Sequence, residues 1–253
     1  MRGVSPEVSA ILLDVTGVLI FPQPDFMLAQ LSTAGLSPDR SVLDQAHYRA
    51  MAAQDTAGRA SRAGGWWPGY LESYFAACGV PEDQCPALAE QAAAATTRGL
   101  WTYVSDETKA GLQALAALGV PLGVVSNADG RLADALARLG LCYLPGPDTE
   151  PSGVPVSVIV DSTRAGVAKP DPAIFGVALE TLGLPASDRV LHVGDSLRSD
   201  VDGALAAGLR PVHLDPYGSC PAPDGHGHTT SLAALAQAVA GPRDRPEYLP
   251  PRK

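Results

Sequence analysis

The chain has 253 residues, of which 46% are apolar and 6% aromatic, enough to bury a sizeable and mainly aliphatic core. Its 18 basic and 27 acidic residues leave a net charge of −9, which argues against a nucleic-acid backbone as partner because that needs a basic face. No stretch approaches the ~20 consecutive apolar residues of a membrane helix, the N-terminal MRGVSPEVSAILLD meets a carboxylate too early for a signal peptide, and Cys78, Cys85, Cys142 and Cys220 form no C-x-x-C pair, so a cytoplasmic protein with reduced thiols is expected.

Taken in chain order, the first element is the apolar run SAILLD, which ends on Asp14. It is short, rich in Ile and Leu, and not alternating, as expected of a strand covered on both faces in a parallel sheet. From Phe21 to Tyr103 no strand pattern is found. The segments PDFMLAQLSTAGL, SVLDQAHYRAMAAQ, WWPGYLESYFAACGV and CPALAEQAAAATTRGL are Ala-rich and read as helices. Within them Trp66, Trp67 and Tyr70 could line an inner face, with Arg59 and Arg62 turned to a substrate anion. The preferred reading makes the aromatics core and the arginines solvated.

From residue 104 strands and helices alternate. DETKAGLQALAALG opens on Asp106 as an N-cap and closes at Gly119; VPLGVVSN is the next strand; DGRLADALARLG is a helix ending at Gly140. GPDTEPSGVP reads as a loop, VSVIVD as a strand, and DPAIFGVALETLG as a helix with Pro172 in its first turn and Gly183 as its stop. RVLHVGD and RPVHLD complete the strands. The pattern predicts a doubly wound, mainly parallel, Rossmann-like α/β core over residues 1–20 and 104–240, with an all-helical subdomain over 21–103 inserted as a cap above the site. The segment 241–253 is too rich in proline and charge to pack as a helix.

In an open α/β sheet, ligands bind outside the carboxyl ends of the strands. The polar residues at those ends are Asp14, Ser126 with Asn127, and Asp195; Lys169 stands in the turn GVAKPDP. Singly, each has a plain reading: a turn former, a loop pair, a helix cap, a solvated lysine. His226 and His228, in DGHGH, are close enough in sequence to share a metal but have no third ligand nearby, so a flexible surface loop is expected.

Read together, these segments resemble the haloacid dehalogenase superfamily of aspartyl-nucleophile hydrolases. Its four motifs occur in order: D-V-T-G-V-L from Asp14 to Leu19, VVSN with Ser126, Lys169 before Pro170, and GDSLRSD with Asp195 and Asp200. The resemblance implies a phosphatase acting on a small phosphorylated metabolite through an aspartyl-phosphate on Asp14. It also implies Mg²⁺ held by Asp14, Asp195 and the main-chain carbonyl of Thr16. Gly17, Ser126 and Asn127 would bind the phosphoryl oxygens, Lys169 would offset the crowded negative charge, and Asp200 would orient the lysine or a metal-bound water. One position departs from the pattern. Thr16 stands where phosphatases of the superfamily usually carry a second Asp, the general acid and base, so slow turnover is one expectation. A phosphoryl-binding or regulatory protein that does not hydrolyse is a second. Carbon–halogen or carbon–phosphorus cleavage on the same nucleophile is a third.

Overall fold

The computed structural model describes residues 8–57, 66–95, 100–222 and 225–241. By packing, the chain divides into two compact units. One contains Val104–Asp215 with the chain before Ile20 and after Ala222; the other contains Ile20–Tyr103 with Pro216–Ala222.

The first strand, β1 (Ala10–Leu13), is fully buried along its length. The second unit then begins with β2 (Phe21–Pro22) and runs through α1 (Pro24–Thr33), α2 (Arg40–Ala57), α3 (Trp66–Ala77), α4 (Cys85–Ala95) and β3 (Trp101–Tyr103). The expectation of helices alone fails at both edges: β2 and β3 pair antiparallel, with Phe21 opposite Tyr103. Runs of two and three residues are too short to show a period, and their pairing spans the whole insertion. The helical core gathers Met27, Leu31, Ala50, Tyr70, Leu71 and Phe75, all buried. Tyr70 is therefore core, as the preferred sequence reading had it. Arg59 and Arg62, and the side chains of Trp66 and Trp67, lie outside the described residues.

A buried imidazole fastens α2 to α3. His47 is 1% exposed, its Nδ1 lies 2.9 Å from the Tyr70 hydroxyl, and the rings of Phe21, Tyr48 and Trp101 surround it edge-on. Tyr74 adds a second tie by donating its hydroxyl to the Leu43 carbonyl at 3.0 Å.

The first unit resumes with α5 (Asp106–Ala116), β4 (Leu122–Ser126) and α6 (Leu132–Arg138). Next come β5 (Cys142–Tyr143), β6 (Val154–Pro155), β7 (Val158–Asp161), α7 (Ser162–Ala165), α8 (Ala173–Leu182) and β8 (Val190–Gly194). A π-helical turn over Leu197–Asp202 runs into α9 (Gly203–Ala206), followed by β9 (Arg210–Leu214), β10 (Gly227–Thr229) and α10 (Leu232–Ala240). The five strands read from apolar runs all form. With β10 they make one six-stranded sheet in the order β10-β9-β8-β1-β4-β7, in which every neighbouring pair is parallel. The α/β fold is as expected. Two details differ. Ser105, not Asp106, caps α5, its hydroxyl accepting from the Thr108 amide at 3.0 Å, and the end of the expected loop GPDTEPSGVP becomes β6, paired with β5. Among the described residues, no helix is long and apolar enough to cross a membrane.

Burial drives the pKa of His47 down from 6.5 to about 3, the nearby Asp44 charge offsetting this only in part. Below pH 6.5 the unfolded chain therefore takes up a proton that the folded chain refuses, so stability falls as pH drops towards about 3. The expected slope from this group is about 1.4 kcal/mol per pH unit in urea unfolding, and His47→Gln flattens it. An unchanged slope in that variant would contradict the assignment.

Candidate active site

The central strand sets the position of everything at the site. β1 lies between β4 and β8, and the Asp14 amide extends the ladder by donating to the Val193 carbonyl at 2.8 Å. Asp14 thus leaves the sheet at its carboxyl edge. The chain then turns sharply, with the Leu19 amide bonded to the Val15 carbonyl at 2.8 Å and Gly17 at φ +79°, a conformation that favours glycine. Ser126 ends β4 and Asp195 follows β8, so both leave the sheet beside Asp14. Asp14, Ser126, Lys169, Asp195 and Asp200 are all buried; Thr16, on the turn, is partly exposed.

At the centre is an ammonium shared between carboxylates. Lys169 Nζ lies 2.7 Å from Asp14 Oδ1 and 2.6 Å from Asp200 Oδ1, with the lysine side chain only 2% exposed. His192 Nε2 reaches the same Asp200 oxygen at 2.8 Å, and the Ser196 amide donates to the other at 3.1 Å. Asn127 holds Lys169 by its backbone: its Oδ1 accepts from the Lys169 amide at 2.8 Å, and its Nδ2 donates to the Lys169 carbonyl at 3.0 Å. The cation is thus fixed at both its main chain and its head.

Charges follow from this packing. Burial raises the Asp14 carboxyl above its ordinary range, partly countered by Lys169, while Asp200 adds to the rise. Asp195 is raised well above, by burial and then by the charges of Asp200 and Asp14. Burial also works against Asp200, yet Lys169 and His192 outweigh it and hold its carboxyl below the usual range. Burial opposes the Lys169 charge too, but the two carboxylates keep it raised and protonated. Three carboxylates, Asp14, Asp195 and Asp200, place oxygens within 4.8 Å of one another. One ammonium cannot neutralise them. Hard oxygen donors with charge to spare are the ligand set a Mg²⁺ ion takes, so these residues fit such an ion.

The sequence-predicted residues therefore divide as follows. Asp14, Lys169, Asp195 and Asp200 form one cluster, and Ser126 ends the strand beside Asp14. Thr16 and Gly17 lie on the adjoining turn. Asn127 is at the same edge, but its side chain serves Lys169. His192 was not foreseen, because in RVLHVGD it reads as one more buried strand position. The expectation for His226 and His228 is overturned: His228 lies in β10, His226 is buried beside it, and a third histidine, His213 of β9, joins them. Sequence distance concealed that neighbour. A further carboxylate on the same edge, Asp161, is already used, accepting the amides of Gly130, Leu132 and Thr163.

Gly194 explains why the fourth motif needs its glycine. A Cβ there would lie 2.0 Å from the Asp200 carboxyl carbon. Gly194→Ala should therefore displace Asp200, at a cost of about 1–3 kcal/mol of overpacking, and loosen Lys169 with it. Urea unfolding checks the stability loss; a variant as stable as the parent would show that Asp200 can move freely.

With the geometry described, similarity to known proteins is informative. Residues 8–208 match the haloacid dehalogenase-like hydrolase family. A zebrafish haloacid dehalogenase-like hydrolase domain-containing protein 3 is 39% identical over 155 residues, covering 59% of this chain and 57% of that protein. The chain thus aligns with somewhat over half of that relative's length. A phosphoglycolate phosphatase of Rhodospirillum rubrum is 32% identical over 238 residues, covering 90% of this chain and 85% of the relative. Among solved structures, a family hydrolase from Deinococcus radiodurans with bound phosphate and sodium superposes with a TM-score of 0.54 at 25% identity, covering 93% of this chain and 96% of that one. Motif order, parallel sheet and matched span agree: the chain belongs to the haloacid dehalogenase-like hydrolase family.

Proposed function

We propose that this hydrolase is a Mg²⁺-dependent phosphatase that removes a phosphoryl group from a small phosphorylated metabolite through Asp14. The observation that carries the reading is the buried Lys169 ammonium held 2.7 Å from the carboxylate of Asp14. A carboxylate at a strand end, paired with a fixed cation, suits attack on phosphorus. The phosphoglycolate phosphatase name of the Rhodospirillum rubrum relative and the phosphate bound to the Deinococcus radiodurans protein support the same class of substrate.

In the proposed reaction an Asp14 oxygen attacks phosphorus, the ester P–O bond breaks, and the departing alkoxide takes a proton from solvent. Water then attacks the acyl-phosphate, freeing inorganic phosphate and regenerating the carboxylate. Ser126, the Gly17 amide and the Asn127 amide bind the phosphoryl oxygens, and Lys169 stabilises the charge that gathers on them. Asp200, with His192, orients Lys169. Asp14, Asp195 and the Thr16 carbonyl would hold Mg²⁺, which when bound neutralises negative charge between nucleophile and phosphoryl group.

Thr16 bears on speed. A hydroxyl can donate a hydrogen bond but is far too weak a base to activate water near neutrality, and general acid–base help usually contributes ~10²–10⁴-fold. This favours slow hydrolysis of the acyl-phosphate, and it is also the observation behind a second reading, a phosphoryl-binding protein with no turnover. Carbon–halogen cleavage on Asp14 fits less well, because ester formation at carbon needs no metal, whereas Asp14 and Asp195 together make a carboxylate pair suited to hold one.

A phosphoester panel separates these readings. Mg²⁺-dependent phosphate release is expected from the parent and should vanish in Asp14→Asn; release that survives in that variant would refute the assignment of the nucleophile. Thr16→Asp is expected to raise turnover by about 10-fold or more, within the range of general acid–base catalysis. No release from the parent, together with Mg²⁺-dependent binding of a phosphate mimic, would favour the second reading.

A further inference from the structure

The three histidines at the sheet edge make a site of their own. In the parallel pairing of β9 with β10, His213 and His228 are direct register partners, so their side chains leave the sheet on one face. His226 precedes His228 by two residues, which in extended chain returns it to that face. The ring centroids are 5.6 Å apart for His213 and His226, 5.5 Å for His213 and His228, and 4.5 Å for His226 and His228. One nitrogen of each imidazole lies within 4.8 Å of the others.

The hydrogen bonding points the same way. His213 Nε2 lies 3.1 Å from the Asp195 carbonyl. A carbonyl only accepts, so Nε2 carries the proton and Nδ1 presents its lone pair. That Nδ1 is buried and has no hydrogen-bond partner; nor has the buried Nε2 of His228. Buried orphan nitrogens are rare because they forfeit hydration without return. A histidine that gives one ring N–H to a backbone carbonyl while its other nitrogen is bare is the usual arrangement of a metal ligand.

We infer that His213, His226 and His228 form a binding site for a borderline-soft divalent transition metal, Zn²⁺ being the ion of choice, separate from the carboxylate cluster. Imidazole nitrogens select such ions over Mg²⁺. Tetrahedral Zn²⁺ with bonds of about 2.0–2.1 Å sets its ligand atoms about 3.3 Å apart, so modest ring rotations close the site. The site is structural: it staples a three-residue edge strand to its neighbour and, through His213, steadies the main chain at Asp195.

The test uses untagged full-length protein dialysed against micromolar Zn²⁺ in millimolar Mg²⁺, followed by elemental analysis. One equivalent of zinc is expected in the parent and in Asp195→Asn, and at least a tenfold smaller amount in His228→Ala and in His226→Gln. Co²⁺ substituted into the parent in excess Mg²⁺ is expected to give the intense visible bands of a four-coordinate ion, a reading that does not depend on any variant folding. No retained zinc in the parent, absence of the cobalt bands, or zinc lost in Asp195→Asn but kept in His228→Ala would overturn the inference.

Discussion

A buried ammonium between two buried carboxylates is the constraint on which the rest of the site depends. Each of these charges would be unfavourable alone in the interior, and removing one partner would leave the others uncompensated. Lys169 is therefore held at several points: at its head by Asp14 and Asp200, along its backbone by Asn127. Asp200 is held in turn by His192, by the Ser196 amide and by the space that Gly194 leaves open. Burial raises both Asp14 and Asp195, and with Asp195 added the cluster keeps an excess of negative charge that adds to the rise. Such a cluster is stable as protein only when the cation stays, and it attracts further positive charge. In the proposed reaction a phosphoryl group would meet a negative nucleophile whose surroundings can be made positive.

The sheet explains why residues so far apart in sequence converge. A parallel sheet brings the carboxyl ends of all its strands to one edge, and the strand order places β4 and β8 on either side of β1. Position at that edge does not by itself make a residue reactive. Asp161 lies at the end of β7, one strand beyond β4, yet spends its oxygens on three backbone amides. Asp14 instead shares its carboxylate with Lys169, and that difference in partners is what suits Asp14 to the proposed role of nucleophile.

Much of the fold was legible because its signals are local. Non-alternating runs such as ILLD and VLHVGD mark strands buried on both faces, and glycines at positions 119, 140 and 183 stop the helices that follow. Asp14, Lys169 and Asp195 could be found because each stands where a run ends or a turn begins. What stayed hidden depends on distant pairing. The β2–β3 ladder joins the two ends of a long insertion. His192 needs Asp200, and the histidine pair in DGHGH needs His213 from another strand. No period or spacing carries those contacts. Thr16 is of another kind: plainly visible in the sequence, its proposed effect lies in a missing proton-transfer group rather than in any packing.

The central claim is that Asp14 takes the phosphoryl group and that Thr16 leaves it there unusually long. Rapid acid quench with a phosphoester labelled in its phosphoryl group tests this most directly. Label is expected to remain on the denatured protein, to be released by hydroxylamine as an acyl-phosphate is, and to map to the peptide containing Asp14. Turnover without any hydroxylamine-labile label, or label on a different residue, would contradict the account.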